Sequence, residues 1–199
     1  MQRYIRPGAR FVTASVDKLT LFAALSQCYF AVQLAMKKFR ILFVCLGNIC
    51  RSPLAEAIFK NKVTQKGLDR VIEADSCGTS NYHIGGQPDA RTIANATQNG
   101  ITIHHCARQL SEDDFRDFDL ILAMDESNYR NILRLPNSEE FSAKVMLARN
   151  FDPIGKGDVP DPYYGGERGF QEVFDMLDRT LENFLHYLEQ EKLPDLQEH

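Results

Sequence analysis

An α/β fold of a single domain is predicted, built on a central parallel sheet of about four strands with helices on both faces. Three observations predict it. Short continuous apolar runs alternate along the chain with stretches of helical periodicity, the pattern of a parallel sheet covered by helices. The first run passes directly through a glycine-containing loop into a helix start, as a strand–loop–helix unit does. A chain of 199 residues with 44% hydrophobic content is long enough to bury a full core and short enough for one domain.

Taken in order, residues 1–35 stand apart from the rest. They carry Arg3, Arg6, Arg10 and Lys18 against Asp17 alone, a net +3, so the remainder holds −7 of the overall −4. The apolar stretch within them is interrupted by Ser26, Gln27 and Gln33. A spanning helix needs roughly 20 mostly apolar residues, so a membrane anchor or a targeting segment is the lesser reading. The expected organisation is an N-terminal extension outside the fold at 1–35, one domain at 36–192 and a tail at 193–199.

"FRILFVC" at 39–45 reads as a strand buried on both faces. Pro53 then suits a first helical turn, with Ser52 in the capping position before it. Further strands are expected at 71–77, 119–125 and 143–149, and helices at 88–99, 125–134 and 169–190. In parallel sheets ligands bind beyond the carboxyl ends of the strands. The segment "CLGNICRSP", 45–53, lies at such an end.

That loop has the composition of an anion cradle. Backbone N–H groups at the start of a helix point into one concavity, where the helix dipole also favours negative charge. Gly47 allows a turn without a Cβ clash, and Asn48 tolerates a left-handed conformation. Arg51 adds a planar fork able to grip two oxygens of a phosphate. The same positive surroundings favour a nucleophilic thiolate at Cys45. A thiolate on the floor of a phosphate-binding loop is placed for in-line attack on phosphorus.

The string C-L-G-N-I-C-R-S-P resembles the signature loop of the low-molecular-weight protein tyrosine phosphatases, and the resemblance extends over roughly residues 38–190. It implies hydrolysis of phosphotyrosine through a phosphocysteine, with Cys45 as nucleophile and Arg51 as phosphate clamp. Leu46, Gly47, Asn48, Ile49, Cys50 and Ser52 would bind substrate. The family's general acid is an Asp-Pro pair, and two pairs occur here, Asp152-Pro153 and Asp161-Pro162. The following Tyr163-Tyr164 and the position just ahead of the last helix select Asp161, leaving Asp152 a structural role. The resemblance further makes Tyr82 and Tyr163 aromatic walls of the substrate slot and Ser76 a supporting serine. It makes His105 a hydrogen-bond partner of Ser52, and Asp125 a residue that orients or caps backbone. A phosphotyrosine protein or a small aryl phosphate is the implied partner, with no cofactor and no metal.

Other classes are disfavoured by residue pattern. No basic stripe with interleaved aromatics suggests nucleic acid. Five cysteines at irregular spacing form neither a disulfide framework nor a zinc pattern, which points to a reducing cytoplasm. Cys77 and Cys106 are expected to be buried small residues. Cys50 is a candidate partner for a reversible disulfide with Cys45 or else a packing residue. An arsenate reductase on the same scaffold needs two relay cysteines on a mobile segment and no acid loop. Preference for phosphoarginine goes with a threonine where this chain has Ile49. A non-catalytic phosphopeptide-binding module has no need of nucleophile, arginine and acid together.

Overall fold

The computed structural model describes residues 38–164 and 166–193, so the expected extension at 1–35 lies outside the described residues. Four strands form one sheet: β1 (Phe39–Cys45), β2 (Ile72–Gly78), β3 (Leu120–Ala123) and β4 (Val145–Leu147). Their order is β2-β1-β3-β4, and every neighbouring pair is parallel. The helices are α1 (Arg51–Gln65), α2 (Ala90–Gln98), α3 (Asp114–Asp117), α4 (Glu126–Ile132), α5 (Ser138–Phe141) and α6 (Gly166–Glu191). The four-residue α3 and α5 went unforeseen, because four residues are too few to display a helical period. None of the described helices is long and apolar enough to cross a membrane.

Alternation along β1 divides the core in two. Ile41, Phe43 and Cys45 face a cluster that includes Leu54, Ile58 and Phe59 of α1 and Leu177, Leu181 and Phe184 of α6. Leu42 and Val44 face the opposite way, onto Phe115, Phe118 and Ile132 around α3 and α4. β1 is therefore covered on both sides, which is why its sequence is apolar throughout rather than alternating. Aromatic rings stitch the first cluster, with Phe59 lying 5.6 Å from Phe43 and 5.4 Å from Phe184 between ring centroids.

Periodicity is clear in α6, where Phe170, Val173, Phe174, Leu177, Leu181, Phe184, Leu185 and Leu188 are all buried at helical spacing. In α1 it is blurred. That helix packs against both the sheet and α6 and also buries Arg51, Ser52 and Glu56, so no single apolar stripe survives. Leu193, the first residue of the expected tail, is buried in the core.

Parallel strands place all their carboxyl ends along one edge. Cys45 ends β1 and pairs in register with Gly78 at the end of β2, while Met124 and Asp125 follow β3. Because β2 and β3 flank β1 on opposite sides, the chain leaves the sheet in different directions there and opens a crevice.

Candidate active site

The turn from β1 into α1 is built around its own sulfur. The backbone N–H of Asn48 lies 3.2 Å from Cys45 Sγ and the Ser52 hydroxyl lies 3.1 Å from it, so two donors converge on one atom. Asn48 takes the left-handed conformation expected of it, with φ of 55°. Gly47 does not; an added Cβ there would meet only side-chain atoms, of His83 and Ile49. The glycine that sterics demand is Gly78, where a Cβ would stand 2.8 Å from the Leu46 carbonyl oxygen.

α1 begins at Arg51, one residue before the expected cap, and its N-cap Cys50 makes no side-chain capping bond. Pro53 carries no N–H and Leu54 N–H bonds the Cys50 carbonyl, which leaves the N–H groups of Arg51 and Ser52 without an intrahelical partner, as an anion site requires. Ser52 lies inside the helix, and its hydroxyl turns down to Cys45 instead of capping. Neither Ser52 nor Asn48 lines the open cavity; both are buried beneath the loop.

Beneath the loop, Asn48 organises a polar network. Its Nδ2 donates to Ser52 Oγ at 2.9 Å and Ser76 Oγ at 3.0 Å. Its Oδ1 accepts from the Arg108 backbone N–H at 2.9 Å and lies 2.8 Å from His105 Nε2. His105 therefore reaches the loop through Asn48, correcting the expectation of a bond to Ser52. Ser76 donates onward to Glu56 at 2.7 Å, and His105 Nδ1 lies 3.1 Å from the same carboxylate oxygen. Burial opposes charge on Glu56, but the bonds from His105, Lys60 and Ser76 outweigh it and hold its carboxyl below the ordinary range. Glu56, Asp75 and His105 bring ligand atoms within 4.8 Å of one another, yet Glu56 and His105 are committed to this network and Asp75 to Arg108.

Above the loop lies a cavity of about 310 Å³ lined by Cys45, Leu46, Gly47, Ile49, Cys50, Arg51, Tyr82, His83, Asp161 and Tyr163. Every expected catalytic residue is there, and the lining as a whole comes from three separate parts of the chain. Arg51 is 4% exposed, and its guanidinium is held from behind. Nη1 donates to Asp125 at 2.5 Å and to the Val159 carbonyl at 3.0 Å, while Nη2 lies 3.4 Å from Asp161. Asp125 thus has two duties, since its other oxygen caps α4 by accepting from Asn128 N–H at 2.6 Å. Only the capping duty was legible; the bond to Arg51 joins residues 74 positions apart.

Tyr82 is 75% exposed and Tyr163 46%, so they form the rim of the cavity rather than deep walls. His83 belongs to the lining and was not anticipated, because a histidine beside a surface tyrosine carries no sequence signal of its own. Asp152 plays no part at the cavity. Its carboxylate has no exposed surface and receives Arg149 Nε at 3.0 Å, Arg179 Nε at 2.9 Å and Arg179 Nη2 at 3.0 Å.

The remaining cysteines sort by burial. Cys45, Cys50 and Cys77 are buried free thiols. Burial is the main influence pushing Cys50 up to about 12 and Cys77 well above the ordinary thiol range. Cys106 is exposed, contrary to expectation, since it lies outside the strands.

A parallel sheet whose first loop brings a cysteine and an arginine to one cavity with an aspartate fits the class of phosphate-ester hydrolases. Comparison with known proteins narrows it. Residues 40–193 match the family model described as low molecular weight phosphotyrosine protein phosphatase. The fission yeast Schizosaccharomyces pombe protein of that name is 49% identical over 75% of this chain and 96% of its own. A protein tyrosine phosphatase from Entamoeba histolytica, solved with Hepes in the active site, superposes with a TM-score of 0.74 at 41% identity, covering 78% of this chain and 99% of its own. A YwlE arginine phosphatase was solved as a mutant with a phosphorylated active-site serine. It matches at TM-score 0.70 and 26% identity, over 78% of this chain and 99% of its own. The chain belongs to the low molecular weight phosphotyrosine protein phosphatase family.

Proposed function

We propose that the protein hydrolyses phosphotyrosine, in proteins or as small aryl phosphates, by way of a phosphocysteine. The observation that carries this reading is the meeting of Cys45, Arg51 and Asp161 around one cavity. Cys45 Sγ attacks phosphorus while Arg51 and the first-turn N–H groups of α1 hold the non-bridging oxygens. Asp161 gives its proton to the departing phenolate oxygen. Water, deprotonated by the same carboxylate, then displaces the sulfur, and the donors from Asn48 and Ser52 steady the thiolate as it leaves. Arg51 is suited to its part because the bonds it donates to Asp125 and to the Val159 carbonyl fix the plane of its fork before substrate arrives.

An aromatic substrate is favoured by the cavity's rim. Tyr82, Tyr163 and the side chain of Ile49 offer flat and apolar surface to a phenyl ring, and Ile49 offers no hydrogen bond to a guanidinium. A cysteine relay to arsenate finds little support, because Cys77 is wholly buried within β2. Free buried thiols are in keeping with a reducing cytoplasm.

Acid quenching during turnover of a labelled phosphotyrosine peptide tests the reading. Label should be recovered on Cys45 in the wild type and be lost in Cys45→Ala, and phosphotyrosine should be consumed faster than phosphoserine or phosphoarginine. Faster turnover of phosphoarginine, or label on another residue, would overturn it.

A further inference from the structure

The loop carrying Asp161 is tied to the loop carrying Cys45 by an ion pair that takes no part in the chemistry just described. Asp89, the residue preceding α2, donates its backbone N–H to the Ile49 carbonyl of the phosphate loop at 2.8 Å. Its carboxylate accepts from Arg91 Nε at 3.0 Å, Nη2 at 2.8 Å and the Arg91 backbone N–H at 2.8 Å. The remaining face of that guanidinium reaches across to the acid loop, with Nη1 donating to the Tyr163 carbonyl at 3.1 Å. The Arg91 guanidinium also lies 4.9 Å from the ring centroids of both Tyr163 and Phe170. Tyr163 in turn donates its backbone N–H to Asp161 Oδ1 at 3.1 Å. An unbroken path thus runs from Ile49 through Asp89, Arg91 and Tyr163 to the carboxylate of Asp161.

We propose that Arg91 is a positioning residue for the general acid, fixing the Asp161 loop at its working distance from Cys45. Stability alone gives no reason for so complete a set of contacts, because the Arg91 side chain is 42% exposed and exposed ion pairs contribute little. Position does give one. A misplacement of about 1 Å costs roughly 10²-fold in rate, and an acid that fails to reach the leaving oxygen forfeits its contribution. The role calls for arginine, since only a planar fork holds Asp89 side-on, bonds a carbonyl and stacks on rings at once. It rests on Asp161 being the acid.

The test compares phenyl phosphate, a poor leaving group, with p-nitrophenyl phosphate, which departs with little help. Arg91→Ala should lower kcat/KM, which reports the steps up to departure of the leaving group, on phenyl phosphate by about tenfold or more and on the nitrophenyl ester by less than about threefold. The high-pH limb of its pH–rate profile should flatten, and Arg91→Lys should recover little. In the double variant with Asp161→Asn, phenyl phosphate turnover should be no slower than with Asp161→Asn alone, because the arginine acts through the acid. Should Arg91→Ala fold poorly, Arg91→Gln carries the same comparison. Equal losses on both esters, or additive losses in the double variant, would overturn the inference while leaving the function intact. Absence of any leaving-group dependence in Asp161→Asn itself would overturn the acid assignment and the inference together.

Discussion

Asn48 spends every hydrogen-bonding position its side chain possesses. Two amide protons go to serines and two lone pairs face Arg108 and His105, while its backbone N–H points at Cys45. It is 1% exposed, so no water stands in for a lost partner. Asn48→Ala would strand several buried polar groups at about 1–3 kcal/mol each and add the strain of a left-handed alanine. Asn48→Gly removes the strain but not the stranding. Both variants should unfold at least about 5 °C below the wild type in a thermal melt. A glycine variant as stable as the wild type would show that backbone conformation, and not the network, is what Asn48 supplies. Neighbouring Glu56 belongs to the same network, which is why a carboxylate is tolerated inside α1 at all.

At the scale of the element, the phosphate loop is shaped as much by β2 as by its own sequence. Beyond the ladder, Thr79 N–H bonds the Cys45 carbonyl and Ser80 N–H bonds the Leu46 carbonyl, both at 2.9 Å. This close pairing leaves no room at Gly78, where an added Cβ would also lie 3.2 Å from Asn48 N. Those neighbours are backbone atoms and cannot swing aside. Gly78→Ala should therefore displace residues 46–48 and reduce kcat/KM for an aryl phosphate by at least about tenfold, the effect expected of an angstrom-scale error. Steady-state assay beside a thermal melt checks it; full activity in a folded protein would mean the loop absorbs the methyl elsewhere.

Across the whole molecule, charge is used to fasten distant segments. Asp152 ties the segment after β4 to α6 through Arg149 and Arg179. Burial works against its charge, but the hydrogen bonds from Arg179, Ile154 N–H and Arg149 prevail and hold the carboxyl below the ordinary range. A lowered carboxyl contributes stability in full above its unfolded value near 3.9 and loses it as pH falls through the folded value. Asp152→Asn, which leaves two arginines without their shared anion, should cost about 3 kcal/mol near neutral pH. Melts of the two proteins from pH 7 to pH 3 should differ most at neutrality and converge as acid protonates the wild-type carboxylate. A gap that stays constant would assign the loss to packing. Asp89 is lowered likewise, chiefly by its hydrogen bonds from Arg91.

The sequence by itself determined the strand–loop–helix unit and the parallel sheet, and it singled out Cys45, Arg51 and Asp161, which the fold brings to one cavity. These are local or periodic features: β1 runs 39–45 as the apolar stretch predicts, and the loop's composition is that of an anion site. Asp161 was separable from Asp152 only through resemblance and chain order, and burial explains why the second serves structure. Tertiary structure alone decided what lies behind and around those residues. Asp125 and Val159 behind Arg51, Asn48 between His105 and Ser52, Gly78 against the loop and Arg91 between the two loops all join positions far apart in the chain. Such contacts follow from which strands become neighbours in the sheet, and no spacing rule within a single segment encodes that choice. β3 and β4 run over 120–123 and 145–147, shorter at both ends than the expected 119–125 and 143–149, because hydrophobicity does not record where pairing starts and stops.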